Sequence, residues 1–154
     1  MRSQPTLLAR ALRLLARREH SRVELARKLA PHASEPAQLD AVLDELERRR
    51  LLSAQRFCES LIHRRAPAFG ARRIEQELGS HRIDDAVADR LLAQLRASEP
   101  QRALQVWRKR FGTAPRDAAE RARQHRFLAQ RGFDADTIRA VLKRCGAADC
   151  GDDE

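Results

Sequence analysis

Three cysteines, five histidines and a crowd of arginines are the residues of this 154-residue chain with the means to do chemistry. The cysteines are Cys58, Cys145 and Cys150. A structural zinc site closes a tetrahedron with four thiolate or imidazole ligands. Four residues separate Cys145 from Cys150, no second cysteine pair exists, and the nearest histidine is His125. That set predicts no metal, and Cys58 reads as a small core residue. His20, His32, His63, His81 and His125 lack the paired spacing around a glutamate that a helical metalloprotease needs. They fall near helix ends or beside arginines, and are expected at the surface or at caps, with no catalytic base among them. Gly70, Gly79, Gly112, Gly132 and Gly146 stand singly. They read as helix stops rather than as a phosphate-cradling loop. The sequence therefore predicts no enzyme and no cofactor.

What remains is arginine. Of 31 basic residues 28 are Arg, whose planar fork suits two-point binding of carboxylate or phosphate. Three clusters stand out. Arg64 and Arg65 face Arg72 and Arg73 across a turn at Pro67 and Gly70, so four cations could converge. Arg108, Lys109 and Arg110 are consecutive. Arg123, Arg126, Arg131, Lys143 and Arg144 could share a face of the last two helices. Against 22 acidic residues the net charge is +9, distributed as +4 over 1–52, +2 over 53–97, +7 over 98–146 and −4 over 147–154. The excess in the last third implies a polyanionic partner, nucleic acid or an acidic protein groove.

Sequence reading in a DNA major groove is disfavoured. The helix N-termini that would enter it hold Glu35, Asp84 with Asp85, and Asp134 with Asp136, which repel phosphates. Most of the six aromatic residues fall on apolar stripes and are assigned to the core, which leaves few rings for stacking on bases. Non-specific, salt-sensitive phosphate contact stays open.

The elements that must carry these residues are helices. Twenty leucines and twenty-six alanines outnumber nine Val plus Ile, a balance that favours helix over sheet. No apolar run exceeds three residues, so no membrane span is expected, and an arginine-laced N-terminus is wrong for an export signal. With few cysteines, this places the chain in the cytoplasm.

Nine helices are predicted. The first covers 6–18. Ser21 caps the second, with Glu24 completing a capping box. The third opens near Pro36 and runs to Arg48–Arg50. The same three-helix phrase recurs from Ser53 and again after Glu99-Pro100. Leu29, Leu78 and Leu128 close the middle helix of each phrase, 49 and 50 residues apart. Helices this short bury a single stripe only by stacking. The reading is an all-α, elongated, curved tandem repeat of three three-helix units, 1–52, 53–97 and 98–146, followed by an acidic disordered tail, 147–154.

These residues resemble the RecX family of regulators of the RecA recombinase. RFLAQRGFDADTIRAVL at 126–142 is similar to that family's last unit. RFCESLIHRRAPAFGARRIEQEL at 56–78 resembles its central signature, and SRVELARKL at 21–29 with VLDELERRRLLS at 42–53 its first unit. Arg50 stands where the family commonly has glycine, and His81-Arg82-Ile83 lacks the glycine often found before that isoleucine. The resemblance implies a non-enzymatic modulator, acting as a monomer without cofactors. It would lie in the groove of the RecA–single-stranded DNA filament, touching protein and, non-specifically, single-stranded DNA phosphates. There it would restrain ATP hydrolysis, strand exchange and co-protease action. Units of roughly 20–25 Å, built from helices about 8–10 Å apart, would reach more than one filament subunit. A stand-alone nucleic-acid-binding module is the alternative, and the acidic tail is a candidate autoinhibitor of the third unit.

Overall fold

The computed structural model describes residues 3–148. Among them are nine α-helices and no strand: α1 (Leu7–Leu15), α2 (Arg22–Leu29), α3 (Pro36–Arg48), α4 (Ala54–Arg65), α5 (Ala71–Ser80), α6 (Asp85–Ala97), α7 (Glu99–Arg110), α8 (Ala118–Gln130) and α9 (Ala135–Ala148). A short 3-10 turn, Ala30–His32, follows α2. The protein is an all-α repeat. No helix of the described residues is long and apolar enough to cross a membrane.

Ser21 caps α2 as the sequence predicts, and Thr6 and Asp117 do the same for α1 and α8. Thr6, Ser21 and Asp117 each accept a backbone N–H three residues on, at 3.1, 3.1 and 2.8 Å, satisfying groups the first helical turn leaves unpaired. The capping box at Ser21 is only half formed, because Glu24 turns its carboxylate to Arg18 and Lys28 instead.

Helix ends differ from expectation in an instructive way. Gly112 and Gly132 do end helices, at φ +72° and +83°. Gly79 and Gly146 lie inside α5 and α9, and Gly70 precedes α5 instead of ending α4. The left-handed positions that close α3 and α5 are taken by Arg50 (φ 58°) and Arg82 (φ 51°). At Arg50 the closing pattern is complete, with Arg50 N–H donating to the Glu47 carbonyl and Leu51 N–H to Leu46, both at 2.9 Å. A side chain in that region costs about 1–2 kcal/mol. Arg50→Gly should therefore raise stability by about 0.5–1 kcal/mol after the extra freedom of the unfolded glycine is counted. Thermal denaturation should show a gain of roughly 2–3 °C.

The helices gather into two lobes. One takes residues up to Ser60 together with Leu78–Ala88, and the other takes Leu61–Glu77 together with Asp89 onward, so the middle helices α4–α6 contribute to both.

In the first lobe Leu7, Ala11, Leu25, Leu29, Leu43, Leu46 and Leu52 form the core. Arg22 on α2 ties to Asp44 and Glu47 on α3 at 2.8 and 3.1 Å. His20, expected near the surface, is buried. Its Nδ1–H donates to the Arg18 carbonyl at 2.9 Å, which leaves Nε2 to accept from the Lys28 ammonium at 3.2 Å. Ser21 Oγ lies 2.7 Å from His81 Nδ1, and the His81 ring is tilted against Phe57.

Burial, aided by the charges of Arg18 and Lys28, holds His20 below its ordinary value of 6.5 despite the carbonyl bond. Burial pushes Glu24 up, but Arg18 and Lys28 outweigh it and bring it to about 2. Both groups bind protons more readily when unfolded, so both lose stability on acidification. His20 contributes below pH 6.5, and Glu24 as pH falls from 4.5 through about 2. The melting temperature should decline as pH falls below about 6.5, and His20→Gln should flatten that stretch of the profile.

The second lobe packs Ala103, Leu104, Trp107, Leu128, Phe133, Ile138, Val141, Leu142 and Cys145. The Trp107 indole N–H donates to Gln124 Oε1 at 2.7 Å, and Gln124 Nε2 donates to the Thr113 carbonyl at 3.2 Å. Cys58 is buried, as expected of a small core residue. α9 carries on past Gly146, so the first two residues assigned to the acidic tail are helical; the four acidic residues of that tail lie outside the described residues.

Candidate nucleic-acid interface

Two residues on α7, one turn apart, organise the segments that carry the arginines. Glu99 is buried, and its carboxylate serves two helix starts. Oε1 accepts from Ala71 N–H at 2.6 Å, and Oε2 from Asp134 N–H at 3.3 Å and the Thr137 hydroxyl at 3.4 Å. Gly70, having no side chain, cannot cap α5 itself, and Glu99 supplies the missing acceptor. Negative charge at the N-termini of α5 and α9 is also favoured by the helix dipole. Arg102 does the converse, donating to the carbonyls of Ala66, Phe69 and Leu95 at 2.9, 2.7 and 3.0 Å. Burial lowers its pKa, against the pull of Glu99.

Between these anchors the link after α4 meets the turn after α8. Gly70 N–H donates to the Arg131 carbonyl at 2.8 Å. A Cβ on Gly70 would lie 2.2 Å from the Gly132 carbonyl oxygen, and one on Gly132 would lie 2.5 Å from Arg73 Cβ. Only two glycines allow so close an approach.

The contact lines up rings and cations. Phe69, in the link, has the guanidinium of Arg73 over its face at 4.3 Å, with Arg131 at 5.6 Å and Arg65 at 5.9 Å. Arg131 also covers Phe127 at 4.7 Å. Phe127 meets Phe111 edge to face, ring centres 5.2 Å apart, and Arg110 stands 5.7 Å from both. Arg123 completes the row 6.0 Å from Phe111. Each such contact contributes about 0.5–1 kcal/mol at an exposed site.

Further bonds fix the planes: Arg65 to Glu77 at 2.9 Å, Arg73 to the Gln130 carbonyl at 3.3 Å and Arg131 to the Ala68 carbonyl at 3.2 Å. Beside the row is a groove of about 500 Å³ bounded by Arg110, Phe111, Arg116, Arg123, Arg126 and Phe127. Its one carboxylate, Glu120, is paired with Arg116 at 2.8 Å. Pre-positioned guanidinium edges in a groove with a net positive lining suit phosphate oxygens.

The structure thus gathers six of the twelve arginines and lysines singled out by sequence: Arg65, Arg73, Arg110, Arg123, Arg126 and Arg131. Arg108 and Arg144 go elsewhere, lining a groove of about 520 Å³ with Trp107 and Cys145. Arg64, Arg72, Lys109 and Lys143 are exposed on their helices. Most of the aromatic residues are in or against a core, as expected: Phe57, Trp107 and Phe133 are buried, Phe111 and Phe127 pack half-buried against the second-lobe core with arginines on their other faces, and Phe69 is half-buried in the link. The signal for these arginine contacts was present in the spacing. Phe69 stands four residues from Arg65 and from Arg73, and Phe127 four from Arg123 and from Arg131. Glu99 and Arg102 carry no comparable sequence signal.

Residues 8–46 match the family model for the first three-helix domain of RecX, and residues 97–142 that for the third. The regulatory protein RecX of Leptothrix cholodnii is 54% identical over 143 residues, covering 92% of this chain and 90% of its own. The chain belongs to the RecX family. The regulatory protein RecX of Herbaspirillum seropedicae is also 54% identical, over 90% of each chain, and that of Neisseria meningitidis 43%, over 93% of each. The crystal structure of RecX from Lactobacillus salivarius superposes with a TM-score of 0.75 over 92% of this chain and 95% of that one, at 17% identity. At that identity the likeness concerns the fold. Within the RecX architecture, the arginine–phenylalanine row draws Phe111, Phe127 and Arg131 from the third domain and Phe69 from the α4–α5 link, which lies between the two matched domains.

Proposed function

We propose that this RecX-family chain is a non-enzymatic regulator. It binds the groove of RecA–single-stranded DNA filaments and inhibits the recombinase, ATPase and co-protease activities of RecA. The observation that carries this reading is the row of arginines stacked on Phe69, Phe111 and Phe127, a surface for phosphates with no reaction chemistry of its own. Family membership supplies the regulatory role, since the relatives are named regulatory proteins. In this reading the chain works in the cytoplasm as a monomer built of three units, 1–52, 53–97 and 98–146. Its contacts with DNA are phosphate-directed and independent of sequence.

The test is the DNA-dependent ATPase of RecA titrated with less than one equivalent of this protein. The rate should fall and the filaments should shorten; an unchanged rate and length would sink the proposal. The same arginine row favours a second reading, a nucleic-acid-binding module acting without RecA. Salt titrations on bare single-stranded DNA and on the filament separate the two. Tighter binding to the filament supports the first, and equal binding to both supports the second.

A further inference from the structure

A second basic groove lies in the first lobe, built from different parts. Arg10, Arg13 and Arg17 follow one another at helical spacing along α1 and its closing turn, which sets three guanidiniums on one face. Lys28 at the end of α2 and His32 at the end of the 3-10 turn stand across from them, around a space of about 320 Å³ whose apolar floor is half-buried Leu14, with Leu29 buried beneath it. No carboxylate lines it. Among the described residues Arg13 and Arg17 make no ion pair, and the Arg10 guanidinium donates only to Gln4, at 3.2 Å. Lys28 shares Glu24 with Arg18.

We propose that this groove seats an acidic, leucine-bearing peptide segment of a protein partner. Its cations and its leucine floor together ask for carboxylates flanking an aliphatic side chain. Carboxylates at three- and four-residue spacing on a partner helix match the spacing of Arg10, Arg13 and Arg17. Nucleic acid fits less well. The lining has no phenylalanine or tryptophan for a base to stack on, whereas the row in the second lobe has three rings under guanidiniums. The two lobes thus recognise different anions, and this inference does not depend on the filament reading.

The test uses the full chain and two fluorescent probes, a synthetic glutamate peptide with leucine at every third and fourth position, and single-stranded oligothymidylate. Arg13→Glu with Arg17→Glu should weaken peptide binding by about tenfold or more, roughly 1.4 kcal/mol. Oligothymidylate affinity should change by less than about twofold. Arg13→Gln with Arg17→Gln, which keeps a good helix former at both positions, should show a smaller loss in the same direction and covers the case in which reversal impairs folding. Failure of the unmodified chain to bind the peptide would overturn the proposal. So would peptide binding that both pairs of substitutions leave unchanged, and so would equal loss of both probes, which would make the groove a nucleic-acid contact.

Discussion

Gly132→Ala should destabilise the second lobe by about 2–5 kcal/mol. Two separate costs add. A side chain at φ +83° sits in the left-handed region, at about 1–2 kcal/mol. The new methyl would also lie 2.5 Å from Arg73 Cβ and 2.7 Å from Arg73 N, an overpacking typically worth about 1–3 kcal/mol. Gly70→Ala should behave similarly, because its methyl would press on the Gly132 carbonyl. Gly79→Ala is the control. Gly79 is inside α5 with open space around it, so that change should stabilise by about 0.5–1 kcal/mol. Urea titration followed by the fluorescence of Trp107, the single tryptophan, reads the second lobe directly. A Gly132→Ala midpoint equal to that of the unmodified protein would rule out the close approach of the two turns.

Arg73→Glu combined with Arg131→Glu should lower affinity for single-stranded DNA by about a hundredfold at low salt, and inhibition of RecA should fall with it. Both guanidiniums lie over Phe69, Arg73 exposed and Arg131 half-buried. Losing two phosphate contacts on a single strand should flatten the log–log salt dependence by about 1.4. Arg73→Lys with Arg131→Lys separates charge from plane. The salt slope should stay and affinity should drop several-fold, because an ammonium keeps the charge but loses the stacked two-point geometry. Full affinity and slope in the charge-reversed protein would reduce the row to a solvated surface.

The helical repeat was legible because stripe and cap agreed at nearly every position. Ser21 and Pro36 mark starts by local chemistry alone, and the structure honours both. Stops were less legible. Gly79 and Gly146 advertise an ending that the chain does not take, while Arg50 and Arg82 end helices in a conformation an arginine does not announce. Half of the candidate arginines converge, and the reason the rest do not is rotational. Arg108 and Arg110 are neighbours in sequence, yet on a helix they point about 200° apart, to different grooves. The guanidiniums on Phe69, Phe111 and Phe127 were less legible, because an apolar ring at helical spacing looks the same whether leucine or guanidinium covers its outer face. Glu99 was invisible for a different reason: its partners at 71, 134 and 137 are adjacent only once the lobe has closed.

That carboxylate bears on how the protein is made. A chain leaving the ribosome presents residues 66–71 well before residue 99, and residue 99 well before the turn at 132, at about 5–20 residues each second. The start of α5 therefore emerges without its acceptor and waits a few seconds for it. The first lobe draws on nothing beyond Ala88 and can close while the ribosome is still translating. A message cut between the second and third phrases would yield a nascent product whose middle helices lack both Glu99 and Arg102. Such a fragment should be cut by proteases faster than the full chain, because the start of α5 and the end of the α4 link lose their partners.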